Sequence, residues 1–278
     1  MIYLYAYTNH RADLDSLRRM GALWEILNDA GIDAELLVND YRAQLAGREL
    51  GLPAATTIET IMDIDAVAEH GDRVVIDSPE EAGERMARYV ETFARVLRVV
   101  PGGGESRYGE AVIDPLAPAS LLYRFYGGAE RDDERVLIYG DSDWDKMLLS
   151  GREAFRECGC SLYWGHYFYV KYEEELAEVF GTIHESDEYP ELLSRCGSIV
   201  TAMPQTALEA AAAGVRTLYL HHGGYPDTIR RRLASLGIPV LARENAITTP
   251  VECSDATGVE IPPVGTEFWL TALGVLQG

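Results

Sequence analysis

Residues 198–222, SIVTAMPQTALEAAAAGVRTLYLHH, read as strand, sharp turn, short helix, glycine stop and second strand. Ile199 and Val200 open an apolar β run, and Pro204 suits the first residue of a helix, where its missing N–H costs nothing. Ala207 to Ala213 favour a helix, Gly214 ends it, and Val215 to Leu220 form the next buried strand. So compact a βαβ unit predicts a parallel sheet with helices on its faces. The turn carries Thr206, a helix N-terminus and Glu209 toward the carboxyl edge of that sheet, where such folds bind ligands.

The same alternation runs outward in both directions. IYLYAY (2–7) is a first strand, and Leu17, Met20, Leu23, Trp24 and Leu27 follow at helical spacing until Gly31. Strands are expected at 32–38, 55–58, 74–76 and 96–100, with helices at 40–47, 63–69 and 80–93. Residues 101–134 hold PGGGESRYGE, several further prolines and glycines, and the charged run ERDDER, a composition that marks a boundary. A second alternation starts at Arg135: RVLIYG, SLYWG, TIHES, SIVTA, VRTLYL and PVLA as strands, with helices near 170–180, 187–195, 204–213 and 226–236. The expected organisation is α/β throughout, two doubly wound Rossmann-like domains in series. The N-terminal domain covers 1–115, a linker 116–134, the C-terminal domain 135–245, and a tail ending in a helix 246–278.

Composition narrows the function. A net charge of −21 argues against a nucleic acid or anionic membrane partner, since both need a basic surface. No apolar run reaches membrane-spanning length and no basic leader precedes the first strand, so a soluble, cytoplasmic protein is expected. The four cysteines show no zinc-like spacing and read as structural thiols. The two lysines, Lys146 and Lys171, both fall near loops of the second half. The oligomeric state is left open.

Two α/β domains in series resemble the GT-B architecture of nucleotide-sugar enzymes. ALEAAAAGVRTLYL followed by HHGGYPDTIRRRLASLG resembles the donor-binding segment of the UDP-N-acetylglucosamine transferases of peptidoglycan synthesis. It is also similar to that of the UDP-sugar hydrolase of pseudaminic acid biosynthesis. RVLIYGDSDWDK, RRMGALWEILNDAGIDAELLV and VVIDSPEE resemble further segments of that hydrolase, in the same order. The resemblance implies an interdomain cleft that holds a UDP-sugar, with the UDP moiety on the second domain and no separate cofactor. It further implies Glu209 at the ribose hydroxyls, Gln205 and Thr206 at the diphosphate, and His184 and Glu185 near the base. Gly140, Asp141 and Ser142 would form the loop facing the sugar phosphates. Without the resemblance, Glu209 and Gln205 read equally well as solvated helix residues and Thr206 as a helix cap.

The first loop departs from that pattern. The hydrolase carries G-x-G-H-x-x-R there, and its histidine is expected to act on water. Aligning Arg19 with the motif arginine puts Ser16 at the histidine and Asp13 and Asp15 at the glycines. A base within hydrogen-bond reach of the substrate would then come from His10, Asp13, Asp15 or Asp77, all at strand ends or in this loop. Hydrolysis, glycosyl transfer, 2-epimerisation and non-catalytic ligand binding all stay open.

Three further features attract notice. SLYWGHYFYVKYEEEL sets His166 and Lys171 around an aromatic group, suited either to sugar or base stacking or to a packed corner of the core. Asp141, Asp143 and Asp145 alternate as in a metal loop but lack the glycine and distal glutamate of an EF-hand, so no metal site is assigned. His221 and His222 end a strand, and neighbouring strand residues point to opposite faces, so at most one of them faces a ligand.

Overall fold

A computed structural model describes residues 1–9, 13–127, 130–156, 158–168, 172–242 and 255–276. The chain forms two compact units, Met1–Arg124 together with Pro262–Gly278, and Phe125–Ile261.

The first unit contains β1 (Ile2–Ala6), α1 (Asp15–Asp29), β2 (Ala34–Val38), α2 (Tyr41–Glu49), β3 (Thr56–Thr57), β4 (Arg73–Asp77), α3 (Glu84–Thr92), β5 (Arg95–Val99) and β6 (Ala111–Ile113). All six strands are parallel, in the order β3-β2-β1-β4-β5-β6. Leu4, Val75, Ile76 and Leu97 are sealed from solvent, as central strands of a sheet covered on both faces must be. The helix expected over 80–93 starts only at Glu84, because Gly83 precedes it with φ +53°. The helix expected over 63–69 is a 3-10 turn, Ile61–Ala66, capped by Thr60 and Asp63. β6 was not expected; it is three residues long and follows a glycine-rich loop.

The second unit repeats the plan with β7 (Arg135–Ile138), α4 (Met147–Ser150), α5 (Arg152–Arg156), β8 (Ser161–Tyr163), α6 (Glu173–Ala177) and β9 (Ile183–His184). It continues with α7 (Tyr189–Arg195), β10 (Ser198–Thr201), α8 (Pro204–Ala212), β11 (Arg216–His221), α9 (Asp227–Ser235) and β12 (Val240–Ala242). Its parallel sheet runs β12-β11-β10-β7-β8-β9, the same order as the first once both are numbered from their own first strand. This is the doubly wound order in which two halves diverge from the central pair, opening a crevice at the carboxyl ends of β1 and β4, and of β7 and β10.

The C-terminal stretch differs from the expected tail. Thr257 bridges Thr217 of β11 in the second unit. Beyond residue 261 the chain rejoins the first unit through α10 (Thr266–Ala272). Trp269 of α10 is fully buried, and its indole N–H donates to the Ser120 carbonyl at 3.0 Å. Arg73 and Arg95 donate to the carbonyls of Leu273 and Ala272, which neutralises the end of the helix. The expected linker, 116–134, is likewise divided: Leu116, Leu121 and Leu122 are core residues, and Phe125 begins the second unit. Among the described residues no helix is long and apolar enough to cross a membrane.

Candidate functional site

The carboxyl edge of the second sheet is where β10 turns into α8, the segment that carries Gln205, Thr206 and Glu209. Thr201 ends β10, and its hydroxyl accepts the Met203 N–H at 3.0 Å, turning the chain into α8. Pro204 opens that helix, and no side chain caps it. The start of α8 is therefore served by main-chain N–H groups and the positive end of the helix dipole.

Gln205, Thr206 and Glu209 are all fully buried. The Tyr189 hydroxyl on α7 donates to Glu209 Oε2 at 2.7 Å and lies 3.1 Å from Thr206 Oγ1, while Gln205 Nε2 donates to Glu209 Oε1 at 3.4 Å. Side chains read from the sequence as ligand contacts, or as solvated, thus form an internal network. Tyr189 itself is packed edge-on against Tyr126 and tilted against Tyr163. No sequence signal marks it as the partner of a glutamate 20 residues away.

Gly140, Asp141 and Ser142 follow β7, the strand beside β10, and Asp141 meets the loop that carries His166. The Asp141 carbonyl accepts the Tyr167 N–H at 2.7 Å, and His166 Nδ1 lies 3.8 Å from Asp141 Oδ1. Gly165 permits this, since a Cβ there would stand 2.2 Å from the Asp141 Cα. Asp143 turns away from any ligand role: it accepts the N–H groups of Met147 and Leu148 at the start of α4 and the Tyr172 hydroxyl at 2.7 Å. Burial raises its pKa, which those hydrogen bonds offset only in part. No group of three metal-binding side chains occurs among the described residues.

His184 ends β9 at the carboxyl side of the same sheet, and Glu185 follows it. His184 is buried with Nε2 2.7 Å from Glu134 and Nδ1 3.0 Å from Glu188, so both ring nitrogens are engaged by carboxylates. Glu185 is exposed and shares a capping box with Glu188. His184, expected near the base, thus has its ring nitrogens taken up within the protein, and a 3-10 turn, Ser186–Glu188, leads from β9 to α7.

In the first unit the corresponding crevice is crowded with polar groups that satisfy one another. Arg19 of α1 grips Asp77 at the end of β4 with two hydrogen bonds, at 2.7 and 3.0 Å, both residues being buried. A carboxylate held by both oxygens is an anchor, so Asp77 is not the free base the sequence allowed. Asp15 is buried within 4 Å of both Arg18 and Arg19. Ser16 donates its hydroxyl to the Tyr7 carbonyl, and Asn39 clamps Thr8 by donating to its carbonyl and accepting its N–H. Asp13 is partly exposed and has φ +52°, a left-handed conformation that aspartate tolerates better than most residues. His10 and Lys171 lie outside the described residues.

The edge of the second unit also holds residues that sequence reasoning did not assign. His222, just past β11, stacks on Tyr139, just past β7, with ring centroids 6.0 Å apart, and meets Tyr225 edge-on at 5.4 Å. A surface pocket of about 640 Å³ lies elsewhere, against Pro118, Pro262, Val264 and Phe268 in the first unit.

Two Rossmann-like sheets in series, with identical strand orders and a C-terminal helix returning to the first unit, can be compared with solved structures. A UDP-N-acetylglucosamine 2-epimerase superposes with a TM-score of 0.53 at 12% identity, covering 100% of this chain and 96% of that one. The fold is GT-B. A spinosyn rhamnosyltransferase in complex with spinosyn aglycone gives 0.53 at 16% identity, over 87% of this chain and 86% of the other. A spinosyn forosaminyltransferase gives 0.51 at 15%, over 87% and 85%. No protein-family model and no curated protein sequence matches the chain. At these identities the likeness establishes the GT-B architecture, and the chemistry has to be argued from the residues.

Proposed function

We propose that this chain processes a nucleotide-sugar, with the nucleoside diphosphate held at the carboxyl edge of the second sheet. The observation that carries the reading is the uncapped N-terminus of α8 at the point where the strand order diverges, between β7 and β10. An anion there gains main-chain donors and the helix dipole without needing a basic surface, which suits a chain of net charge −21. To the same edge we assign the loop of Gly140, Asp141 and Ser142, which follows the neighbouring strand β7, together with His166. UDP is the nucleotide that the resemblance of residues 207–237 favours. The named activities of the superposable structures, glycosyl transfer and 2-epimerisation of UDP-N-acetylglucosamine, belong to the same substrate class.

The reaction we favour is substitution at the anomeric carbon, by water or by an acceptor hydroxyl, with the departing diphosphate stabilised by the start of α8. Of the three aspartates the sequence offered there, Asp13, Asp15 and Asp77, only Asp13 is partly exposed, and with His10 it is the candidate base. A second reading, ligand binding without turnover, is favoured by one specific observation. Ser16 and Asp77, at two positions where a base could stand, are both tied to internal partners.

Calorimetric titration with UDP, dTDP, GDP and CMP tests the site. We expect micromolar binding of one diphosphate and at least a tenfold loss in Ser142→Asp, which sets a like charge beside the anion. Release of UDP from UDP-sugars, abolished in Asp13→Ala or His10→Ala, separates an enzyme from a binding protein. Failure of every nucleotide to bind would sink the reading.

A further inference from the structure

His184 is buried at the end of β9, and both of its ring nitrogens face carboxylate oxygens. Nε2 lies 2.7 Å from Glu134 Oε1, and Nδ1 lies 3.0 Å from Glu188 Oε2. Both carboxyls are ionised at neutral pH. Burial alone would raise them, but hydrogen bonds from His184, Ser161 and Arg195 prevail at Glu134, and those from the Glu185 N–H and His184 prevail at Glu188. An ionised carboxylate only accepts, so each contact needs an N–H on the ring. The imidazolium has two such donors. A neutral ring has one, and its other nitrogen turns a lone pair toward the second carboxylate.

The two carboxylates differ in what else holds them. Glu134 also accepts from the Ser161 hydroxyl of β8 and pairs with Arg195 of α7, which in turn meets Asp132 and Glu191. Glu188 is held further by the Glu185 N–H at 2.8 Å and is the more exposed of the two. A neutral ring therefore keeps its proton on Nε2, facing Glu134, and Glu188 swings out to water. That side chain closes the capping box around the turn Ser186–Glu188. Tyr189 follows directly, opens α7 and donates to Glu209 of α8. From β8, the Tyr163 hydroxyl donates to the Ser186 carbonyl at 3.2 Å, a contact that does not depend on the charge of the ring.

We propose that His184 is a pH-sensitive pin for the start of α7: doubly protonated, it ties Glu188 to Glu134, and on losing one proton it lets Glu188 go. The contribution of the pin is full at about pH 5.5, where the ring carries both protons, and is lost as pH rises through the range in which histidines titrate. Its release loosens the turn and, through Tyr189, the buried hydrogen bond to Glu209. None of this depends on which ligand the edge of the sheet holds.

The test is imidazole NMR and amide hydrogen exchange on the isotope-labelled protein between about pH 5.5 and about pH 8.5. We expect both ring nitrogens of His184 to be protonated at the acid end and Nδ1 to lose its proton on the way up. Exchange over residues 186–192, corrected for its intrinsic pH dependence, should quicken about tenfold over the same step, the worth of one hydrogen bond between charged groups. Glu188→Gln offers an amide that serves either form of the ring, so its step should vanish with the fold intact. His184→Gln identifies the ring signal; should that variant not fold, the signal displaced in Glu188→Gln does so instead. A single proton on the wild-type ring at about pH 5.5 would overturn the pin. So would a wild-type exchange profile that matches that of Glu188→Gln.

Discussion

Arg19 and Asp77 are locked together by two hydrogen bonds at the carboxyl edge of the first sheet, linking the second turn of α1 to the end of β4. The pair occupies the spot where a GT-B enzyme would be searched for its base, and its geometry is that of a brace. Removing one member strands the other charge in a buried site, which costs far more than the pair contributes net. Asp77→Ala should therefore lower unfolding free energy by roughly 3–5 kcal/mol. Arg19→Met combined with Asp77→Leu should recover most of it. Urea titration of the three variants checks this, and equal stability of Asp77→Ala and wild type would remove the brace.

Tyr189 and Glu209 form the matching relationship in the second unit. Tyr189→Phe leaves a fully buried carboxylate short of its donor and should cost roughly 1–3 kcal/mol. A double-mutant cycle with Glu209→Gln measures the coupling, which should exceed 0.5 kcal/mol by about the margin seen for other contacting buried pairs. No coupling would mean that the hydroxyl and the carboxylate act independently.

Acid should weaken the second unit through Glu134. Burial alone would raise its carboxyl, but hydrogen bonds from His184, Ser161 and Arg195 prevail and bring the pKa to about 2. A carboxylate lowered on folding stabilises fully above its unfolded value, near 4.5, and that stability is lost as pH falls toward 2. Melting temperature should drop through this window in the wild type and less steeply in Glu134→Gln. Parallel profiles for the two proteins would count against the role of Glu134.

Gly165 is required by contact. Its missing Cβ makes room for the Asp141 backbone, which cannot yield as a flexible side chain would. Gly165→Ala should displace the loop of Gly140 to Ser142 and weaken nucleotide binding more than it lowers the melting temperature. Titration beside a thermal melt gives the comparison, and unchanged affinity would detach this loop from the site.

The two sheets were legible in the sequence because buried parallel strands are unbroken apolar runs, as in Ile199 to Val200 and Val74 to Ile76, separated by helices with plain stops at Gly31 and Gly214. What failed to show were the short edge elements. Three-residue β6 and the four-residue helix α4 carry too few side chains for a period to appear. The fate of 262–276 was hidden because Trp269 is explained only by Ser120, far away in sequence. At the site, spacing showed which residues reach the edge of the sheet. It could not tell a carboxylate that faces a ligand from one turned inward, and Glu209 and His184 were decided by partners on other elements. Asp13, aligned with the first glycine of G-x-G-H-x-x-R, adopts the left-handed φ that such a position tends to require.

The return of α10 to the first unit makes that unit discontinuous, with residues 125–261 inserted between its two parts. During synthesis the inserted unit leaves the ribosome whole, while the first still lacks the helix that carries Trp269. The second half of the chain is thus free to mature before the first, reversing the order in which they are encoded. Chaperones that bind nascent chains would be expected to act mainly on the earlier-made residues, which wait longest for their last piece.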